Sequence, residues 1–320
     1  MAKAKRIKGI NCNSAAGDGI KLALVTRFRE LYVLREAALD WSDPEGVHSM
    51  RVASRRLRSA LRDFMPYLRK RGLASVIKEL KTLADALGQV RDQDVAIMVL
   101  ENLESHAPAE ISPALKEFIA EQKELREKAR QELLSMLEQS RLQQLETDFM
   151  AAVEASTAAR PQTQQQVTFL KMSRVIMLDL LRELEKLSNG LFKPLDTEAL
   201  HELRIAAKRL RYAVELFQPC WGNSISTYAK RAARIQTALG DVHDCDVWIE
   251  SFGKHINVAR KSKRREDVAA LVWLLDHFVK LRTKHLRQAF AHWSDWESQD
   301  TGGKLRTELR HQEPPETQSI

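Results

Sequence analysis

Residues 47–64, VHSMRVASRRLRSALRDF, hold five arginines within twelve positions, with a single acid, Asp63, near the far end. At about 100° per residue, His48, Arg51, Arg55, Arg58 and Arg62 fall within an arc of about 80°, while Met50, Ala53, Leu57, Ala60, Leu61 and Phe64 gather opposite. One side is a row of cations about 21 Å long; the other is a core face. A solvated helix interleaves acids at i+4 and gains about 0.2–0.5 kcal/mol per pair, whereas Arg51/Arg55 and Arg58/Arg62 repel by a similar amount. Something external is expected to offset that repulsion. Guanidinium forks grip phosphate oxygens two at a time, which an ammonium does not. One cation per turn of about 5.4 Å suits an extended polyanion better than a single phosphate.

The pattern occurs twice. VHSMRVASRRLRSALRDFMPYL (47–68) aligned with LHELRIAAKRLRYAVELFQPCW (200–221) is identical at nine of 22 positions, and ALGQVRDQDV (86–95) aligned with ALGDVHDCDV (238–247) at seven of ten. Order and spacing are kept, so the chain is a tandem duplication of a unit of about 150 residues. In the second copy His201, Arg204, Lys208 and Arg211 form the row, and Leu203, Ala206, Leu210, Ala213, Val214 and Phe217 the core face. Arg56 and Arg209 flank the rows and count with them as anion-binding candidates. Lys78 and Lys81 precede the first ALG segment, and Lys230, Arg231 and Arg234 the second, adding charge that a shared groove would concentrate.

His48 and His201 occupy matching first-turn positions. A metal would need further His or carboxylate ligands where the rows supply arginines, so a phosphate contact or a core or capping role fits better. Asp92, Asp94, Asp244 and Asp246 recur as RDQD and HDCD. Paired acids can hold magnesium, and His243-Asp244 is similar to a phosphohydrolase dyad, but Arg91 stands where the second copy has His243. The aspartates are therefore read as holding basic side chains in place. Gly88 and Gly240 mark close helix packing or a local break.

The elements that must position these residues are all helical. Glycine and proline together number 21 in 320 residues, apolar residues make up 44%, and no alternating Val/Ile/Thr-rich segment occurs. Helices are expected over 20–40, 44–68, 73–104 and 112–139, then 165–188, 196–218, 224–256 and 262–297, with Asp43-Pro44 and Ser112-Pro113 as starts, Asn189-Gly190 as a stop and an extra helix near 141–153. The Ala-, Gln- and Pro-bearing stretch 154–166 reads as a linker. The expected organisation is a basic flexible segment 1–19, bundles over 20–158 and 159–297, and a polar disordered tail 298–320. Cys12, Cys220 and Cys245 show no CxxC spacing, so neither a disulfide framework nor a zinc site is indicated and a cytoplasmic location is expected. No secretory leader or membrane span is expected either.

The paired H-x-x-R-x-x-x-[KR]-R-L-R helices, each followed by A-L-G-x-x-[RH]-D-x-D-V, resemble the CHAD domain, the conserved histidine α-helical domain, over about 20–297. The resemblance implies two four-helix bundles related by a pseudo-two-fold axis, binding of inorganic polyphosphate, and association with polyphosphate granules and their proteins. It implies that His48, Arg51, Arg55, Arg58, His201, Arg204, Lys208 and Arg211 take the family's basic positions. His243 departs from the usual arginine. The CYTH domain that often precedes the family's bundles has no counterpart expected here, since no E-x-E-x-K strand occurs near the start.

The expected function is non-catalytic polyphosphate binding with no cofactor and no metal. Nucleic acid is the weaker partner, because aromatic residues make up 6% of the chain and only Tyr212 falls near a row. A metal-dependent phosphohydrolase acting on polyphosphate or nucleotides is the enzymatic alternative. The formal charge of +8 agrees with an anionic partner without selecting among these.

Overall fold

The computed structural model describes residues 7–69, 72–158, 167–261 and 265–311. Among them every regular element is helical, apart from one isolated antiparallel bridge between Ala15 and Thr168. The chain divides into two compact units, Met1–His106 with Lys116–Met172, and Ala107–Leu115 with Ser173–Ile320.

In the first unit, α1 (Ala16–Tyr32), the short α2 (Arg35–Leu39), α3 (Pro44–Phe64), α4 (Leu73–Glu104), most of α5 (Ser112–Met136) and α6 (Gln139–Thr157) enclose one core. The single helix expected over 20–40 is thus two. The break lets α2 cross the start of α3 at Gly46, where a Cβ would lie 1.8 Å from the Ala37 carbonyl oxygen, so only glycine fits. All six apolar positions read off α3 are buried, with Met50, Leu57 and Phe64 at 0% exposure. Phe28 stacks on Phe149 at 4.5 Å, tying α1 to α6. Truncating one such side chain to alanine costs about 2–5 kcal/mol.

The second unit contains most of α7 (Phe169–Leu187), then α8 (Thr197–Trp221), α9 (Ser226–Lys261), α10 (Arg265–Ser298) and α11 (Thr301–His311). α9 lies along both α8 and α10. The expected stop at Asn189-Gly190 falls in a 3-10 turn, Ser188–Phe192. There a Cβ on Gly190 would come within 3.0 Å of the Ala199 carbonyl. Ala37 and Gly46 correspond in the repeat to Gly190 and Ala199, so the same close crossing occurs in both halves with the glycine on opposite sides.

Three expectations need correction. The segment expected as a disordered tail is helical over 301–311, with 312–320 outside the described residues: Asp300, at φ 47°, turns the chain into α11, which buries Leu305 and Leu309 completely. Residues 7–19 are not flexible, because Ile7 and Cys12 are buried and the main chain at Ser14 and Ala16 bonds to Phe169 and Val167. Cys12 and Cys220 are each disulfide-bonded, against the expectation of no disulfide. Cys245 is a free buried thiol, pushed up to about 12 by burial and by Asp244 and Asp246. The linker reading at 154–166 meets helix to Thr157, and 159–166 lie outside the described residues. No helix among the described residues is long and apolar enough to cross a membrane.

Candidate anion-binding faces

α3 and α8 carry the two rows, and each begins on an aspartate cap. The Asp43 carboxylate accepts from the Glu45 amide at 2.9 Å, with Pro44 following, and the Asp196 carboxylate accepts from the Ala199 amide at 3.0 Å. Such a cap contributes about 1 kcal/mol. The buried faces then set the rows on the opposite side of each helix, where every row residue except Arg211 keeps part of its surface exposed.

On the first face the Arg51 side chain crosses α4 at Gly88, its Nε 3.7 Å from where a Cβ would stand, and its Nη2 lies 3.5 Å from Asp92. The ALG glycine therefore marks neither a break nor a forced contact; α4 is continuous through it. Arg55 and Arg58 are half-buried, and neither meets a carboxylate among the described residues. Arg91 of α4, not counted among the candidates, comes close enough to act on His48. Lys78 and Lys81 are exposed on the same face of α4 as Gly88. Arg62 is exposed and leans to Asp63 at 3.6 Å.

The second face is shorter than the repeat predicts. Arg211 is buried, at 8% exposure, with its Nε donating to Glu215 at 2.8 Å and Nη1 to Gln236 at 3.1 Å. Glu215 aligns with Arg62, so the i+4 position that extends the first row neutralises the second, a signal present in the sequence and missed. Arg209 is held by Glu183 of α7 at 2.5–2.7 Å. Its counterpart Arg56 is buried at 8% exposure. Both sit about 80° outside the arc of the rows, and both are corrected from anion contacts to packed residues. Arg204 and Lys208 remain half-buried on the face, Lys230 and Arg234 are exposed, and the Arg204 stem passes 4.0 Å from the Cβ position of Gly240. Arg231 instead ties α9 to the α10–α11 turn through Thr301 at 2.9 Å and Asp295 at 3.6 Å.

Both histidines are held below the usual imidazole range. For His48 the causes are burial, then Arg91 and Arg55, opposed by Glu45; for His201 they are burial, then Arg204, His243 and Lys208, opposed by Glu202. The His201 and His243 rings lie 4.7 Å apart, and Arg204 Nη2 sits 3.4 Å from His201 Nδ1. Each imidazole is thus a neutral group in a positive field.

The aspartates divide by position. Asp92 is exposed and loosely paired with Arg51, and Asp244 is exposed on α9. Asp94 is 6% exposed in its side chain, 3.8 Å from Arg126, and burial raises its pKa against the pull of Arg130, Arg126 and Arg91. Arg130 Nη2 donates to the Trp41 carbonyl at 3.4 Å, and its guanidinium covers the Trp41 ring at 4.9 Å. In the second unit Arg282 donates to Asp246 at 2.5 Å and to the Pro194 carbonyl at 2.8 Å. Trp41 and Pro194 each stand two residues before the cap of a row helix. In the second unit one arginine, Arg282, thus joins the motif aspartate to a carbonyl ahead of the cap, whereas in the first the two contacts are divided between Arg126 on Asp94 and Arg130 on the Trp41 carbonyl. The sequence carried no signal for Arg126, Arg130 or Arg282, which lie in charge-rich helices. His285 faces Asp241 at 3.6 Å, and His277 packs on Trp273 and Phe278. Tyr212 is buried at 6% exposure, so it offers no open ring to a base. Among the described residues no three His, Cys, Asp or Glu side chains are grouped as a metal site needs.

A profile of the CHAD domain matches residues 23–252. The chain belongs to the CHAD family. The crystal structure of the CHAD domain from the plant Ricinus communis superposes with a TM-score of 0.70 at 23% identity, covering 98% of this chain and 99% of that one. PptA from Streptomyces chartreusis superposes at 0.65 with 16% identity, covering 88% and 100%. These likenesses show that the all-helical fold is the CHAD fold. An uncharacterized protein of Mycobacterium tuberculosis, strain H37Rv, is 28% identical over 211 residues, which is 62% of this chain and 38% of the relative; a second from strain CDC 1551 matches equally. The CHAD chain thus spans well under half the length of these curated relatives.

Proposed function

We propose that the two faces bind inorganic polyphosphate without cleaving it, and that each half is one copy of a duplicated helical bundle carrying one face. The observation that carries this reading is the α3–α4 face. Arg55 and Arg58 are half-buried there with no carboxylate partner among the described residues, beside Arg51, Arg91, Lys78 and Lys81. Holding like charges together without an internal counter-ion is unfavourable, and a chain of phosphates spaced along the helix relieves it. Family membership supports the same ligand. The neutral histidines add a donor that gains a proton when an anion arrives. A soluble protein recruited to polyphosphate granules follows from this ligand.

Binding through phosphate neutralisation weakens steeply as salt rises, by release of counter-ions from the polyanion. Calorimetric titration with polyphosphates of defined length over a salt series tests the reading. The triple variant Arg51→Glu, Arg55→Glu, Arg58→Glu should lose most affinity for long chains while keeping its helical circular dichroism. Affinity in that variant equal to that of the unaltered chain, preference for DNA at matched phosphate, or orthophosphate release with magnesium or manganese would each count against it.

A further inference from the structure

The two faces differ at one corresponding position. Arg91 acts on His48 from α4 in the first, and His243 meets His201 from α9 in the second, their rings 4.7 Å apart. We infer that His243 makes the second face a proton-linked anion site, whereas Arg91 gives the first a permanent charge. This rests on the proposed polyanion binding and goes on to how that binding is regulated.

An arginine keeps its charge at every physiological pH, while an imidazole gains one between about pH 5 and 8. Two imidazoles in contact, with Arg204 and Lys208 beside them, oppose each other's protonation, and burial together with these neighbouring charges holds His201 down. Glu202 on α8 is the acid that acts on His201 in the opposite sense. On α9, Asp244 follows His243 and is exposed. From α10, His285 is turned to Asp241, and Glu183 of α7 is taken up by Arg209. A polyphosphate laid on this face supplies the negative charge that lets both rings protonate. Proton uptake then accompanies binding, with His243 adding one proton that its counterpart Arg91, already charged, does not take up.

The test separates the faces in the full chain. Arg51→Glu, Arg55→Glu, Arg58→Glu leaves the second face, and Arg204→Glu, Lys208→Glu leaves the first; each is titrated with long-chain polyphosphate between pH 5.5 and 8. Long chains keep terminal phosphate titration negligible. Each linked proton steepens affinity by up to about tenfold per pH unit, so the second face should gain more on acidification than the first. His243→Arg in the second-face protein should flatten the profile and raise affinity at pH 8, and Arg91→His in the first-face protein should steepen it. Equal slopes, or a slope unmoved by His243→Arg, would overturn the inference while leaving polyphosphate binding intact. Absence of binding by either face and by the unaltered chain would overturn both.

Discussion

The Nε of Arg282 donates to Asp246 at 2.5 Å, with the two side chains only 13% and 15% exposed. The other end of the guanidinium holds the Pro194 carbonyl, so the pair ties α9 and α10 to the chain two residues ahead of the Asp196 cap of α8. Ahead of α3 the corresponding contacts are divided between Arg126, 3.8 Å from Asp94, and Arg130, which holds the Trp41 carbonyl.

Asp246→Ala should destabilise the second unit by about 3 kcal/mol, since it leaves a buried guanidinium without its carboxylate. Asp92→Ala should cost under about 1 kcal/mol, because Asp92 is 70% exposed and lies 3.5 Å from Arg51. Chemical denaturation of the two variants checks the contrast. Equal losses would mean that the two aspartates of the motif do not divide as their burial says.

Arg211→Gln and Arg209→Gln should lower stability more than polyphosphate affinity. Arg211 is buried between Glu215 and Gln236, and removing it strands Glu215, at a cost of about 2 kcal/mol. Arg58→Gln, at the position matching Arg211, should do the reverse. Melting temperature and calorimetric affinity for each variant give the comparison.

Gly88→Ala and Gly240→Ala should stabilise by about 0.5–1 kcal/mol each, the helix-propensity difference. Both lie inside continuous helices, and the added methyl would meet Arg51 at 3.7 Å or Arg204 at 4.0 Å, ordinary contact distances. A lower melting temperature would show that these arginines need more room than their positions suggest.

Stability should fall on mild acidification. His48 and His201 have folded-state values below their ordinary 6.5, so the unfolded chain binds more protons in that window. The contribution is full above about pH 6.5 and is lost as pH falls from there through the lowered values. Denaturant titrations at pH 7.5 and 5.5 should show the loss, and the double variant His48→Gln, His201→Gln should shrink it. An unchanged pH difference in that variant would assign the effect to other groups.

Much of the fold was legible because it rests on local periodicity. The apolar positions read off 47–64 and 200–217 are buried throughout, and α4 and α8 start within a residue of their expected positions. The errors fall where a distant partner decides. The turn at Asp300 lets α11 bury Leu305 and Leu309 although 298–320 is polar overall. The division of 20–40 into two helices follows from the crossing at Gly46.

By itself the sequence determined the internal repeat, the helical class and the two rows of basic residues, since identity and a 3.6-residue period are properties of the chain alone. Only the tertiary structure decided which cations are still available on those faces. Arg55 and Arg58 meet no internal acid among the described residues, whereas Arg209 and Arg211, of the same residue type in the repeated motif, are neutralised by Glu183 and Glu215. A helical arc states where a guanidinium points; its charge is available or spent according to the carboxylate that the packing of neighbouring turns and helices brings within about 4 Å.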